Sequence, residues 1–130
     1  MLLAPRDARA RGDLGTALLA ANRLDAALPH LLEAVKLAPD RATFLSNLGY
    51  AYQQKGDLDL AIKTYKQALQ KDDKLGSAWI NYGTALAKKG DYVEAERAFK
   101  KAQALDPSDP RVKANLDELA ELQKKKKKTP

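Results

Sequence analysis

The sequence contains no cysteine, a single histidine and few aromatic residues, which make up 6% of its 130 residues. Without cysteine, the chain has no disulfide framework, no thiol nucleophile and no thiolate metal site. One histidine, His30, excludes a multi-histidine metal site and leaves little for a histidine-based catalytic triad. We therefore expect a non-enzymatic protein that needs no metal and no cofactor and has no small-molecule substrate.

Long apolar runs are also missing. The longest apolar stretches fall far short of the roughly 20 residues that a membrane span needs. Residues 1–5 are too short for the apolar region of a signal peptide. Alanine is abundant and β-branched residues are few, which favours helix over strand. These features predict a helical domain, and we expect it in the cytoplasm.

The charge of the chain is concentrated at one end. Lysine and arginine number 23 against 17 aspartates and glutamates, a formal charge of +6. Five of the positive residues form one run, Lys124 to Lys128, and without them the balance is 18 to 17. The body of the protein is therefore nearly neutral, whereas a nucleic-acid-binding domain would spread lysine and arginine over a folded face.

A shift of 34 residues aligns the sequence with itself. Three units follow without insertion, at residues 8–41, 42–75 and 76–109. Such a period is the signature of a repeat architecture. The shared positions are small or apolar, and they are Gly15, Gly49 and Gly83, then Ala27, Ala61 and Ala95, then Leu31, Tyr65 and Phe99, then Ala34, Ala68 and Ala102.

Each unit has the pattern of two helices joined by a tight turn. In the third unit, Tyr82 and Leu86 lie on one helical face at i, i+4 spacing. Gly90 can adopt the positive φ that ends a helix, and Asp91 can cap the next one. Pro107 then stops the second helix.

The third unit resembles the tetratricopeptide repeat, on its length of 34 residues and on Trp79, Gly83, Ala95, Phe99, Ala102 and Pro107. The resemblance covers residues 8–109. It implies an all-α fold, a right-handed superhelical α-solenoid of antiparallel helix pairs. The departures are Asn22 in place of the turn glycine, Asp73 in place of proline, and Arg11 in place of tryptophan.

The two ends of the chain lie outside the repeats. Residues 110–123 resemble the capping helix that closes such arrays, with a truncated fourth repeat as the alternative. Residues 124–130 are expected to form a basic disordered tail. Residues 1–7 resemble the end of a preceding repeat, with a disordered start as the alternative. The chain is then a piece of a longer array, or it associates with itself through an apolar edge that includes Leu14.

The resemblance also implies that the first helices of the units line a concave groove. Asn47, Asn81 and Asn115 recur there at 34-residue spacing, and a row of amides can pair with an extended peptide backbone. Surface amides that bond only water are the alternative. The predicted peptide-binding residues are polar side chains on the face opposite the core, and they are Asp13, Thr16, Asn47, Tyr50, Gln54, Ser77, Asn81, Thr84, Lys88 and Asn115.

Tyr50 is the aromatic member of that set. It is either a binding anchor or a tyrosine that leans on its neighbours. Chaperone-binding members of the family grip a C-terminal carboxylate with lysine and arginine on this face, and here only Asn47 matches their pattern. We therefore expect no carboxylate clamp.

Two functions follow from this reading. The first is a protein-interaction scaffold that binds an extended peptide or a partner helix in the groove. The alternative is a structural module that docks neighbours, or copies of itself, through the edges of the solenoid. Lys124 to Lys128 form either a weak contact for nucleic acid or an anionic membrane, or a solvated end.

Overall fold

The computed structural model describes residues 5–128. Within that range the chain forms seven α-helices and no strand. It divides into two compact units, Met1–Asp73 and Lys74–Pro130, and each is described by itself. The helices are α1 (Pro5–Ala20), α2 (Leu24–Leu37), α3 (Ala42–Lys55) and α4 (Leu58–Lys71) in the first unit, and α5 (Gly76–Lys89), α6 (Tyr92–Leu105) and α7 (Pro110–Lys128) in the second.

The predicted turns end the first helix of each pair. Gly56 follows α3 with φ 93°, and Gly90 follows α5 with φ 92°, so both lie in the left-handed region that glycine adopts without strain. Asn22 takes the equivalent place after α1 with φ 60°. Asparagine tolerates this conformation better than other residues with a side chain, which explains how the first unit departs from glycine and keeps the turn.

Aspartates cap the second helices of two pairs. An Asp57 carboxylate oxygen accepts a hydrogen bond from the Leu60 N–H at 3.3 Å, and Asp91 accepts one from the Glu94 N–H at 3.4 Å. Each satisfies one of the backbone donors that a helix start leaves unpaired. The capping role predicted for Asp91 is confirmed.

In the first unit, glycines allow paired helices to pack closely. A Cβ atom at Gly15 would lie 2.7 Å from Leu31, and one at Gly49 would lie 2.9 Å from Tyr65. Both bulky partners are fully buried. The aligned positions therefore form a repeated contact in which a small residue of the first helix accepts a large side chain of the second.

The second unit repeats this contact and adds α7. A Cβ atom at Gly83 would lie 2.5 Å from the Phe99 ring. α7 packs against α6 and α5, where Val112 is buried in a cluster with Ile80. Trp79 is half-buried beside this cluster. The packing agrees with the predicted role of the last helix as a cover for the third repeat.

The basic run at the end of α7 is helical, and the expectation of a disordered tail is wrong for residues 124–128. α7 continues through Lys128 without a break, so the expected end of the helix at residue 123 is also wrong. Lysine is a good helix former and no glycine or proline interrupts the run. Lys124 also pairs with Glu121 at 3.4 Å, at the i, i+3 spacing that supports a helix. Residues 129–130 lie outside the described part of the chain.

The start of the chain also differs from its prediction. Pro5 to Asp7 open α1, whereas the sequence pattern assigns them to the last turn of a preceding repeat. Proline is favoured at the first position of a helix because its missing N–H would be unpaired there. Residues 1–4 of the predicted segment lie outside the described residues.

Candidate peptide-binding surface

Two predicted binding residues of the first unit are hydrogen-bonded to each other. Asn47 on α3 is half-buried, and its Nδ2 donates to the Thr16 Oγ1 at 2.9 Å. The Thr16 hydroxyl in turn donates to the Gly12 carbonyl oxygen of α1 at 2.8 Å. An amide has two N–H donors and one carbonyl oxygen. Asn47 is therefore held in place through one N–H and keeps the second N–H and the oxygen for another partner.

The other candidates of the first unit have different surroundings. Tyr50 is half-buried and packs against the apolar cluster that includes Leu48. This placement favours the alternative in which Tyr50 leans on its neighbours. Asp13 is exposed and faces Arg9 at 3.9 Å, a weak surface ion pair one helical turn away. Gln54 is exposed near the end of α3.

In the second unit, two asparagines are less constrained than Asn47. Asn81 on α5 and Asn115 on α7 are half-buried, and within residues 5–128 their side-chain amides take part in no hydrogen bond. Thr84 is also half-buried, but its hydroxyl donates to the Ile80 carbonyl oxygen of the preceding turn at 3.0 Å. Ser77 is exposed. Asn81 and Asn115 therefore present open amides at the surface of this unit.

A pocket between α5 and α7 brings three of the predicted residues together. Its volume is about 120 Å³, and Phe99 and Glu118 also contact it. The predicted binding set does not include Leu119 and Leu122, although they follow Asn115 at i+4 and i+7 and so share its helical face. The main lining residues are Thr84, Ala87, Lys88, Asn115, Leu119 and Leu122.

A buried polar pair in the first unit was missed by the sequence reading. The Tyr65 hydroxyl donates to the Gln53 Oε1 at 2.8 Å, and both side chains are buried. Burial, and to a smaller extent the neighbouring Tyr50, raises the pKa of the Tyr65 phenol. The sequence offers one sign of this pair, because position 53 is a polar glutamine where the first repeat has Leu19 and the third repeat has Ala87.

Two other kinds of site are absent from the described residues. No group of three or more histidine, aspartate or glutamate side chains in residues 5–128 is placed to hold a metal ion. None of the helices described is long and apolar enough to cross a membrane. His30 on α2 is half-buried, and its Nδ1 lies 3.3 Å from an Arg11 guanidinium nitrogen.

The paired helices, the glycine contacts and the capped turns define a helical repeat protein, and comparison with known families gives its class. The family model for the tetratricopeptide repeat matches residues 3–42, 13–76 and 46–110. The chain therefore belongs to the tetratricopeptide repeat family. Among curated proteins, none matches the chain significantly.

Solved structures of tetratricopeptide repeat domains share this fold. The Arabidopsis OM64 domain is 24% identical with a TM-score of 0.87, and the match covers 90% of this chain and 97% of that one. The second such domain of human RPAP3, solved with the HSP70 peptide SGPTIEEVD, is 21% identical with a TM-score of 0.84, covering 90% and 98%. The Yersinia enterocolitica chaperone SycD, solved with a peptide of the translocator YopD, is 24% identical with a TM-score of 0.79, covering 89% and 93%. At these identities the likeness shows the fold.

Proposed function

We propose that this protein is an interaction module that binds an extended peptide or a partner helix through the exposed faces of its first helices and α7. The observation that carries the proposal is the series Asn47, Asn81 and Asn115, which are all half-buried at one position of the 34-residue register. Each amide offers donors and an acceptor that match a peptide backbone. Two similar folds, those of RPAP3 and SycD, were solved with peptides, which supports this class of ligand.

A peptide-library screen tests the proposal. Binding should be in the micromolar range, since it would combine backbone hydrogen bonds with a few apolar contacts. Asn47→Ala combined with Asn81→Ala, one change in each unit, should weaken the selected peptides at least two- to tenfold, because one lost hydrogen bond contributes about 0.5–1.5 kcal/mol. Gln67→Ala with Gln103→Ala is the matched control, because these exposed amides lie on the second helices α4 and α6.

The screen also has a clear negative outcome. If every selected peptide binds the asparagine variant as well as the parent protein, the asparagine series is not the site. If the library yields no binder at all, peptide binding itself is refuted. Circular dichroism of both variants separates lost binding from lost structure.

A second function, assembly through the outer face of α1, is favoured by Leu14. This side chain is 46% exposed, whereas Leu48 and Tyr82 at the same register position are 5% and 8% exposed. Among the described residues α1 packs against α2 and α3, and Leu14 stays outside these contacts. Leu14 and Ala10 therefore line an open face between α1 and α2.

Sedimentation velocity over a wide concentration range tests self-association. Leu14→Asp should shift the protein towards monomer, because a charge at the apolar edge opposes its burial. Leu60→Asp is the control, since Leu60 is 40% exposed on α4. A parent protein that stays monomeric at the highest concentration contradicts assembly between copies.

A further inference from the structure

The pocket between α5 and α7 lies beside the most basic part of the chain. Lys88 lines it near the end of α5, and Leu122 lines it two residues before the lysine run of α7. Lys126 lies over the Tyr92 ring, 5.3 Å from its centre, which places the end of α7 against the start of α6. We call Lys88, Lys89 and Lys124 to Lys127 the basic end of the second unit.

The inside of the pocket is suited to an apolar side chain. Ala87, Phe99, Leu119 and Leu122 supply carbon surface, and the volume is about 120 Å³. This is several times the roughly 10–15 Å³ that a cavity needs to hold one water molecule, so the space admits a side chain the size of leucine. Asn115 stands at the same pocket with an amide that no described residue engages.

The basic end carries more positive than negative charge. Its six lysines compare with four carboxylates nearby, those of Asp91 and Glu94 at the start of α6 and those of Glu118 and Glu121 on α7. Three of the four are engaged locally, because Asp91 caps α6, Glu94 pairs with Arg97 and Glu121 pairs with Lys124. A ligand that extends from the pocket over this surface therefore meets a net positive potential.

We propose that this pocket binds one leucine-sized apolar side chain of a peptide whose acidic residues lie over the basic end. The proposal rests on the peptide-binding function above and specifies its ligand for the second unit. Apolar burial supplies affinity, the Asn115 amide pairs with the peptide backbone, and the lysines select acidic neighbours.

A peptide explains these features better than a polyanion alone. Nucleic acid or an anionic membrane would use the lysines and leave the apolar pocket and the open amide without a role. The rest of the chain is nearly neutral, which also disfavours a broad polyanion surface. Binding of a polyanion that needs no apolar side chain would therefore contradict the proposal.

Fluorescence polarisation with labelled synthetic peptides tests the proposal on the full chain. The probes carry one leucine next to four acidic residues, in either order along the peptide. Replacing the leucine by serine should weaken binding roughly tenfold to a hundredfold. Replacing the acidic residues by glutamine and asparagine should weaken it about three- to tenfold at low salt, with the difference fading at high salt.

Protein variants locate the binding. Ala87→Met fills the pocket and should weaken binding at least tenfold, whereas Ala120→Met, at an exposed position of α7, should not. Lys88→Glu should weaken binding three- to tenfold at low salt, whereas Lys101→Glu on α6 should have less effect. If Ala87→Met lowers helicity, Lys88→Glu, at an exposed residue, still reports on the site.

Three results would overturn the proposal. The first is equal binding of the leucine and serine probes, which would show a patch that binds any polyanion. The second is that the Ala87→Met and Lys88→Glu variants both bind the probe as well as the parent protein does. The third is that the leucine probe does not bind in either of its two sequence orders. If the peptide library nevertheless yields ligands that depend on Asn47 and Asn81, only this proposal fails and peptide binding stands. If the library also yields no ligand, this proposal and the peptide-binding function are both refuted.

Discussion

The buried hydrogen bond between Tyr65 and Gln53 allows a sharp test of how the second repeat is held together. Tyr65→Phe removes the donor and leaves the Gln53 Oε1 without its partner at 2.8 Å, in a side chain that is buried. An unsatisfied buried acceptor costs about 1–3 kcal/mol. We expect the free energy of unfolding to fall by that amount, although the substitution removes only one oxygen atom.

The double variant Tyr65→Phe with Gln53→Leu is the decisive comparison. It gives the second repeat the all-apolar chemistry of the first, where Leu19 and Leu31 occupy the same register positions. Because no polar atom of the pair is then left buried, we expect it to recover most of the loss, with a coupling energy of about 1–2 kcal/mol between the two sites. Urea unfolding followed by circular dichroism at pH 7 measures each variant. The reasoning is refuted if Tyr65→Phe is as stable as the parent or if the two single losses simply add.

The same pair predicts sensitivity to alkali. Burial raises the pKa of Tyr65 in the folded protein, whereas an unfolded tyrosine ionises near pH 10. The contribution of the neutral phenol to stability is therefore fully present below pH 10 and is lost as the pH rises above it. Tyr65→Phe should flatten the fall in stability between about pH 9.5 and 11. An unchanged slope would contradict the assignment.

Three further substitutions test the packing and the turns, each by urea unfolding against a matched control. Gly83→Ala should lower the free energy of unfolding by about 1–3 kcal/mol, because its new Cβ would meet the Phe99 ring. Gly76→Ala, which has open space around it, should not lower it. Equal effects of the two substitutions would contradict the close approach of the helices at Gly83. Asn22→Ala should cost about 1 kcal/mol at its positive φ, and Asn22→Gly should not; a neutral alanine would argue against the left-handed turn. Leu119→Ala should cost about 2–5 kcal/mol because the side chain is fully buried, and a loss under 1 kcal/mol would show that α7 does not cover the third repeat.

The sequence predicts the repeated parts of the fold well because they are fixed by local rules. The 34-residue spacing of Gly49 and Gly83 places each glycine opposite a bulky side chain of the next helix, and the structure shows both contacts. The turn at Gly90 and the cap at Asp91 follow from backbone conformation alone. Such features need no knowledge of distant residues.

The remaining features depend on long-range surroundings that a single sequence does not show. The charge of the lysine run predicts disorder, but helix propensity and the pair between Glu121 and Lys124 extend α7 through it. Glutamine is usually a surface residue, and Gln53 can be buried because the Tyr65 hydroxyl donates a hydrogen bond to its Oε1. The α5–α7 pocket is lined by residues of α5, α6 and α7 together, and the repeat period does not encode how these helices meet.

The hydrogen bond from Asn47 to Thr16 would couple a ligand bound at Asn47 to the packing of the first repeat. It joins α3 to α1, which belong to successive repeats of the same unit. A ligand that competes for this N–H would loosen α1, and a ligand that uses only the remaining groups of the amide would leave α1 in place. By thermodynamic linkage, a ligand that loosens the contact between α1 and α3 binds more weakly when that contact is tightened. The packing of the first repeat would then change the affinity of a binding site on the second repeat.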